Sequence, residues 1–136
     1  MTAVHVRVIA GGEHYALPVD QVLEISELGE IAPVPGAPPE VMGVRNLRGQ
    51  VIPVVDLATV LGVGDDAERE RIVVTEVLGR RGGRAVTEIV DVGELGEENS
   101  EVESPYLSGA VLEGGDLVGI VDGAAILDAI TPAAAR

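Results

Sequence analysis

Asp56 and Asp122 are the carboxylates from which a catalytic reading of this chain would start, as a pair for general acid and base work. Each ends a strand-like apolar run and precedes a short apolar stretch, where a helix needs an N-cap. A cap is worth about 1 kcal/mol and accounts for both residues without catalysis. His5 and His14 flank the first turn with no suitably spaced third ligand, so no metal site is expected. Ser26, Ser100, Ser104 and Ser108 lack the Gly-x-Ser-x-Gly setting of a nucleophile. The absence of cysteine removes thiolate and zinc–sulfur chemistry, and the absence of lysine removes the Gly-x-x-x-x-Gly-Lys phosphate loop. Gly62-Val63-Gly64 is followed by acids that repel phosphate. No cofactor is expected, and the chain does not read as an enzyme.

The arginines offer a different chemistry. Arg80-Arg81-Gly82-Gly83-Arg84 is a basic spot on an acidic chain and reads as a solvated hairpin turn, its glycines supplying positive φ. Its other reading is a docking point for an acidic partner, which would associate in a salt-sensitive way. Arg48 stands beside apolar Leu47 in the turn Arg48-Gly49-Gln50. There it is either a solvated turn residue or a planar five-donor fork offered to a partner's carboxylate.

The frame that must position these residues is bounded by composition. The chain has 136 residues, one typical domain length, and a formal charge of −14, which makes duplex nucleic acid and anionic membranes poor partners. Two tyrosines, with no Trp or Phe, leave almost nothing for base stacking. Val dominates the apolar residues, so the fold should be strand-rich. Apolar runs too short for a membrane span, an N-terminus without a basic-then-apolar leader, and no cysteine together point to a soluble, unprocessed chain in a reducing cytoplasm. All nine basic residues are Arg, which fits either a salt-rich cytoplasm or GC-rich codon usage.

Val4-His5-Val6-Arg7-Val8-Ile9 alternates, Gly11-Gly12 turns, and Tyr15-Ala16-Leu17-Pro18-Val19 returns, a predicted β-hairpin. Asp20 then either caps a short helical turn through Glu24 or begins an extended segment through Ile25. Four prolines in residues 33–39 make that stretch a loop. Asp56 to Gly62 reads as an Asp-capped short helix ended by glycine. A second hairpin is expected from Arg71 to Asp91, with its turn over Gly79 to Arg84. The acidic stretch Gly93 to Ser104 has little to bury and should be the most mobile interior segment.

An internal repeat organises the whole. A shift of 66 residues aligns Pro39 with Pro105, Gly43 with Gly109, Gly49 with Gly115, Val55 with Val121, Asp56 with Asp122 and Leu61 with Leu127. Val19-Asp20 also resembles Val90-Asp91, outside that register. Each half alone would have a marginal core, so the expected architecture is a single all-β domain with short helices. Two similar β-barrels, approximately 1–64 and 67–130, would share a central apolar interface, with strand exchange allowed and the cleft as the place for a partner. Gly49, Gly115, Asp56 and Asp122 are its structural turns and caps.

The run from Gly36 to Leu57, with Gly43-Val44-Arg45-Asn46-Leu47-Arg48-Gly49 and Val51-Ile52-Pro53-Val54-Val55-Asp56-Leu57 at its heart, resembles the signature of CheW-like domains. Tyr15 to Ile25, Tyr106 to Gly109 and Leu117 to Asp122 resemble further parts of that pattern, so the resemblance spans nearly the whole chain. It implies two SH3-like five-stranded barrels acting as a non-catalytic adaptor between chemoreceptors and the CheA histidine kinase. The receptor's helical signalling tip would bind in the groove between barrels and the kinase's regulatory domain at barrel ends, in the cytoplasm at membrane-associated receptor arrays. Carried onto this sequence, Val22, Glu24, Gly43, Asn46 and Arg48 would serve binding, Arg48 foremost. Thr87-Glu88 departs from the family's small or apolar residues ahead of a Val-Asp pair.

Two other readings remain at this point. One is a CheW-like scaffold or kinase regulatory domain serving another pathway; the other is a small-molecule-binding barrel or an enzyme using Asp56 or Asp122.

Overall fold

The structure, a computed structural model, describes residues 3–64, 67–99 and 101–130. Ser100 and the acidic pair Asp65-Asp66 fall outside them. The chain forms β1 (Val4–Ala10), β2 (Glu13–Pro18), a 3-10 turn (Val19–Gln21), β3 (Val22–Glu27), β4 (Val41–Leu47), β5 (Gln50–Asp56) and α1 (Leu57–Leu61). It continues through β6 (Arg71–Val77), β7 (Arg80–Val86), β8 (Glu88–Glu94), β9 (Leu107–Glu113), β10 (Asp116–Val121) and α2 (Gly123–Ile130). The short helical turn and the extended segment after Pro18 both exist, in that order; Asp20 lies inside the turn, whose N-cap is Pro18.

Two five-stranded sheets result, in the orders β8-β1-β2-β10-β9 and β3-β6-β7-β5-β4. The repeat is visible in them. β4, β5 and α1 recur as β9, β10 and α2 at the shift read from the sequence, and the parallel pairing of β5 with β7 matches that of β10 with β2. The sheets exchange strands across the approximate halves 1–64 and 67–130, as the repeat allowed: the second sheet is the continuous stretch from β3 to β7, while the first joins β1–β2 to β8–β10. Val19-Asp20 and Val90-Asp91 occupy a 3-10 turn and a strand, so their likeness is not part of the repeat.

Three apolar clusters hold the sheets. Ala16, Leu95, Val111, Val118 and Ile120 fill one face of the first sheet; Ile52, Val54, Ile72, Val74 and Ala85 fill one face of the second. The third cluster lies between the sheets, where Val6, Val8, Tyr15 and Leu17 meet Val55, Val73 and Val86, joined by Leu57 and Ile126 of the helices. Burial, and secondarily Glu13, raises the Tyr15 phenol above its ordinary pKa. Each sheet thus curls over its own core and packs its other face on its counterpart, the alternation that period-two strands permit. Neither closes through a continuous ladder: a single bridge, Ala32 to Val44 in one and Asn99 to Ala110 in the other, carries the crossing segment to the edge strand.

Arg80 to Arg84 is not the solvated turn its composition suggested. The turn is Leu78-Gly79, and Arg80 to Val86 is an interior strand. Gly83 serves packing, since a Cβ there would run into the Ile72 side chain. Arg84 pairs with Val73 and Val55, so its side chain enters the cluster between the sheets, where the residue is 3% exposed. Thr87-Glu88 does not disrupt the following strand: Thr87 N donates to Ile9 O at 3.0 Å, and β8 pairs with β1 around a bulge at Arg7/Val8.

Candidate functional site

Of the residues singled out in the sequence, Glu24, Asn46 and Arg48 come together where β3 meets the β4–β5 turn, with Val22 two residues from Glu24, while Gly43 lies toward the other end of β4. Arg48 and Gly49 form that two-residue turn with φ of 51° and 84°. The Asn46 Oδ1 accepts from the Gly49 N–H at 2.9 Å, so Asn46 shapes the turn from its first corner. The curl of the second sheet carries Arg48 to the far edge strand, where its Nη1 lies 2.8 Å from Glu24 Oε2. The Arg48 side chain is 81% exposed and that of Glu24 20%, so the carboxylate anchors a guanidinium whose other donors face solvent. One turn back, the Arg45 Nη1 donates to Ser26 Oγ at 3.2 Å and to Glu27 O at 3.1 Å. Two arginines of one edge therefore stitch it to the other, beyond the reach of the backbone ladder.

Val22 and Glu24 are set by a register shift in β3 that leaves Leu23 exposed between them. Val22 is half-buried against the inter-sheet core, which makes it a support for the Glu24 strand. Gly43 is buried, at the register shift of β4 beside the Ala32 bridge. The crossing segment leaves a groove of about 740 Å³ lined by Gly29 to Ala32, Val44, Arg45, Asn46 and Val51.

The two aspartates part company. Asp122 caps α2 as expected, its Oδ1 accepting from the Ala125 N–H at 3.1 Å. Asp56 stands at the N-cap position of α1, yet its side chain bonds no helix N–H. Its carboxylate takes the Arg69 Nε at 2.8 Å and the Thr59 Oγ at 2.6 Å, a largely buried ion pair tying α1 to the chain before β6. Gly49 and Gly115 occupy the second positions of equivalent turns. His14 lies with Arg7 and Asp116, Nδ1 3.2 Å from Arg7 Nη2 and Nε2 3.8 Å from Asp116. Among the described residues no group of three or more metal-ligating side chains gathers.

Sequence reasoning missed Leu78, which is 79% exposed in a turn with φ of 52°. The signal was present in the spacing: Leu78-Gly79 follows the last β6 residue as Arg48-Gly49 follows β4.

Comparison with known proteins bears on this arrangement. The family model described as CheW-like domain matches residues 5–131. The chain is 28% identical over 136 residues to the chemotaxis protein CheW of Rhizobium meliloti, covering 93% of this chain and 85% of that one. It is 32% identical to the chemotaxis protein CheW of Bacillus subtilis, covering 88% and 83%. The crystal structure of the scaffolding protein TtCheW from Thermoanaerobacter tengcongensis superposes with a TM-score of 0.81 at 26% identity, over 90% of both chains.

Proposed function

The chain belongs to the CheW-like domain family of chemotaxis scaffold proteins, and from that premise we propose that it couples chemoreceptor signalling tips to the regulatory domain of the CheA histidine kinase, without catalysis of its own. The observation that carries this reading is the Arg48–Glu24 pair. An almost fully exposed arginine is held 2.8 Å from a mostly buried carboxylate, in a backbone conformation that costs a non-glycine residue about 1 kcal/mol. An exposed ion pair returns at most about that much. The arrangement is therefore poor as a stabilising device and well suited to presenting a pre-oriented guanidinium fork to a partner. Glu24 and Asn46 orient it, and Val22 and Gly43 place the strands that carry them. No helix among the described residues is long and apolar enough to cross a membrane, so binding to receptors would bring the protein to their arrays.

Replacing Arg48 by Glu tests this. Titrated against a receptor signalling-tip hairpin and against the CheA regulatory domain, Arg48→Glu is expected to bind at least one about tenfold more weakly than the parent, a loss typical of a central interface residue. Its circular dichroism should be unchanged, because the side chain supports no core. Unchanged binding to both would remove Arg48 from the interface; loss of fold would make it structural.

A further inference from the structure

Among the described residues two non-glycines have positive φ, Arg48 and Leu78, at 51° and 52°. Each is the first residue of a two-residue turn and precedes a glycine. The repeat-related turns of the first sheet, Gly11-Gly12 and Gly114-Gly115, have glycine at that place, with φ of 60° and 59°. Glycine adopts this geometry without penalty; leucine does not. Leu78 is also 79% exposed, so it gains almost nothing from burial. Two unfavourable terms meet at one residue with no return inside the molecule, the pattern of side chains kept for contacts outside it.

The surroundings say what kind of contact. β5 and β7 run parallel, so the Arg48-Gly49 and Leu78-Gly79 turns lie at one end of the second sheet, and the Arg81 Nη1 links them through Gln50 Oε1 at 3.1 Å. Val51, 62% exposed, adds a second apolar side chain there. Arg48, Arg80 and Arg81 are the exposed arginines among the described residues, and all three belong to this end. Glu24 and Glu76 engage Arg48 and Arg81 at 2.8 and 3.3 Å, fewer bonds than their guanidinium donors can make. On a chain of formal charge −14, this is an apolar tip where three exposed arginines outnumber the two carboxylates, Glu24 and Glu76, beside them.

We infer that this end of the second sheet, centred on Leu78, docks into a partner surface that presents an apolar depression rimmed by carboxylates. The inference rests on the adaptor reading and extends the Arg48 site to Leu78, Val51, Arg80 and Arg81. Charge complementarity argues for the occupant: a carboxylate rim is repelled by most of this molecule and welcomed here.

Leu78→Gly separates the two roles of the residue. Relieved of its strained conformation, the variant should unfold at a higher temperature, while its binding to the receptor hairpin or the kinase domain should weaken about tenfold. Leu78→Met should restore binding without the gain in stability. If Leu78→Gly binds both partners as the parent does while Arg48→Glu does not, this inference falls and the adaptor reading stands. Failure of the parent to bind either partner takes down both. Concentration-dependent self-association that Leu78→Gly abolishes would make a second copy the occupant and overturn the assignment to a carboxylate-rimmed partner.

Discussion

Arg84→Met is expected to raise the stability of the chain by about 2–3 kcal/mol at neutral pH. Arg84 lies between the sheets beside Val55 and Val73, 3% exposed, and its guanidinium bonds the neighbouring Gly83 carbonyl at 3.3 Å with no ion pair among the described residues. A charge in that position loses its hydration without gaining a counter-charge. Burial accordingly lowers its pKa to about 10. The repeat shows what the fold accepts there: the corresponding residue of β2 is Leu17, a member of the same cluster. Methionine keeps the unbranched stem and removes the charge.

The pH dependence has a definite sign. With the folded-state value depressed, the unfolded chain holds the Arg84 proton more tightly, so stability rises with pH above about 10. Below that, both states carry the charge and the whole penalty applies. Urea unfolding of parent and variant at pH about 7 and about 11 should show a gap that narrows at the higher value. A variant less stable than the parent at neutral pH would mean that the guanidinium contributes more through packing and hydrogen bonding than it costs.

Gly43→Ala is expected to act in the opposite direction, by about 3 kcal/mol or more. The backbone there has φ of 150°, and an added Cβ would strike the Ala32 carbonyl, whose bridge to Val44 leads the crossing segment onto β4. Backbone cannot step aside as a side-chain tip can. Gly109 repeats the arrangement: a Cβ there would meet Glu98 and the carbonyl of Asn99, beside the bridge to Ala110. Gly109→Ala should cost less, because Gly109 has no positive φ and its nearest contacts are with the movable Glu98 side chain. Because Gly43 lies on the strand that leads to the Arg48 turn, weakened partner binding by Gly43→Ala should track its loss of folded protein in thermal unfolding. A variant that binds weakly while fully folded would put Gly43 in the interface itself.

Much of this was legible in the sequence because it depends on local periodicity. The alternation of Val4 to Ile9, the glycine turns and the 66-residue shift give strands, hairpins and the pairing of β4–β5–α1 with β9–β10–α2. What was not legible depends on side chains distant in sequence. The Arg48–Glu24 pair exists because the second sheet curls, a property of its five strands together. The Asp56 carboxylate leaves the helix for Arg69, whereas Asp122 keeps to its cap; the local patterns of the two are alike. Gly82-Gly83 was read as a turn because glycine frees the backbone, when the fold uses Gly83 for its small size. The repeat gave two similar halves and allowed strand exchange between them, but a sequence repeat carries no record of which copy of a strand pairs with which, and the sheets show β1–β2 exchanged onto β8–β10.

That exchange has a consequence for how the protein comes off the ribosome. All five strands of the second sheet are present once residue 86 has emerged, so that sheet can form early. The first sheet needs β8 to β10, yet its opening hairpin, β1–β2, is made first of all. Val6, Val8, Tyr15 and Leu17 must wait, on a two-stranded ribbon too small to be stable alone, while about one hundred more residues are synthesised. At elongation rates of about 5–20 residues per second, that interval is about 5–20 seconds. During it the hairpin's exposed apolar face is the natural target of a holdase, and the completed second sheet is the template on which the first finally closes.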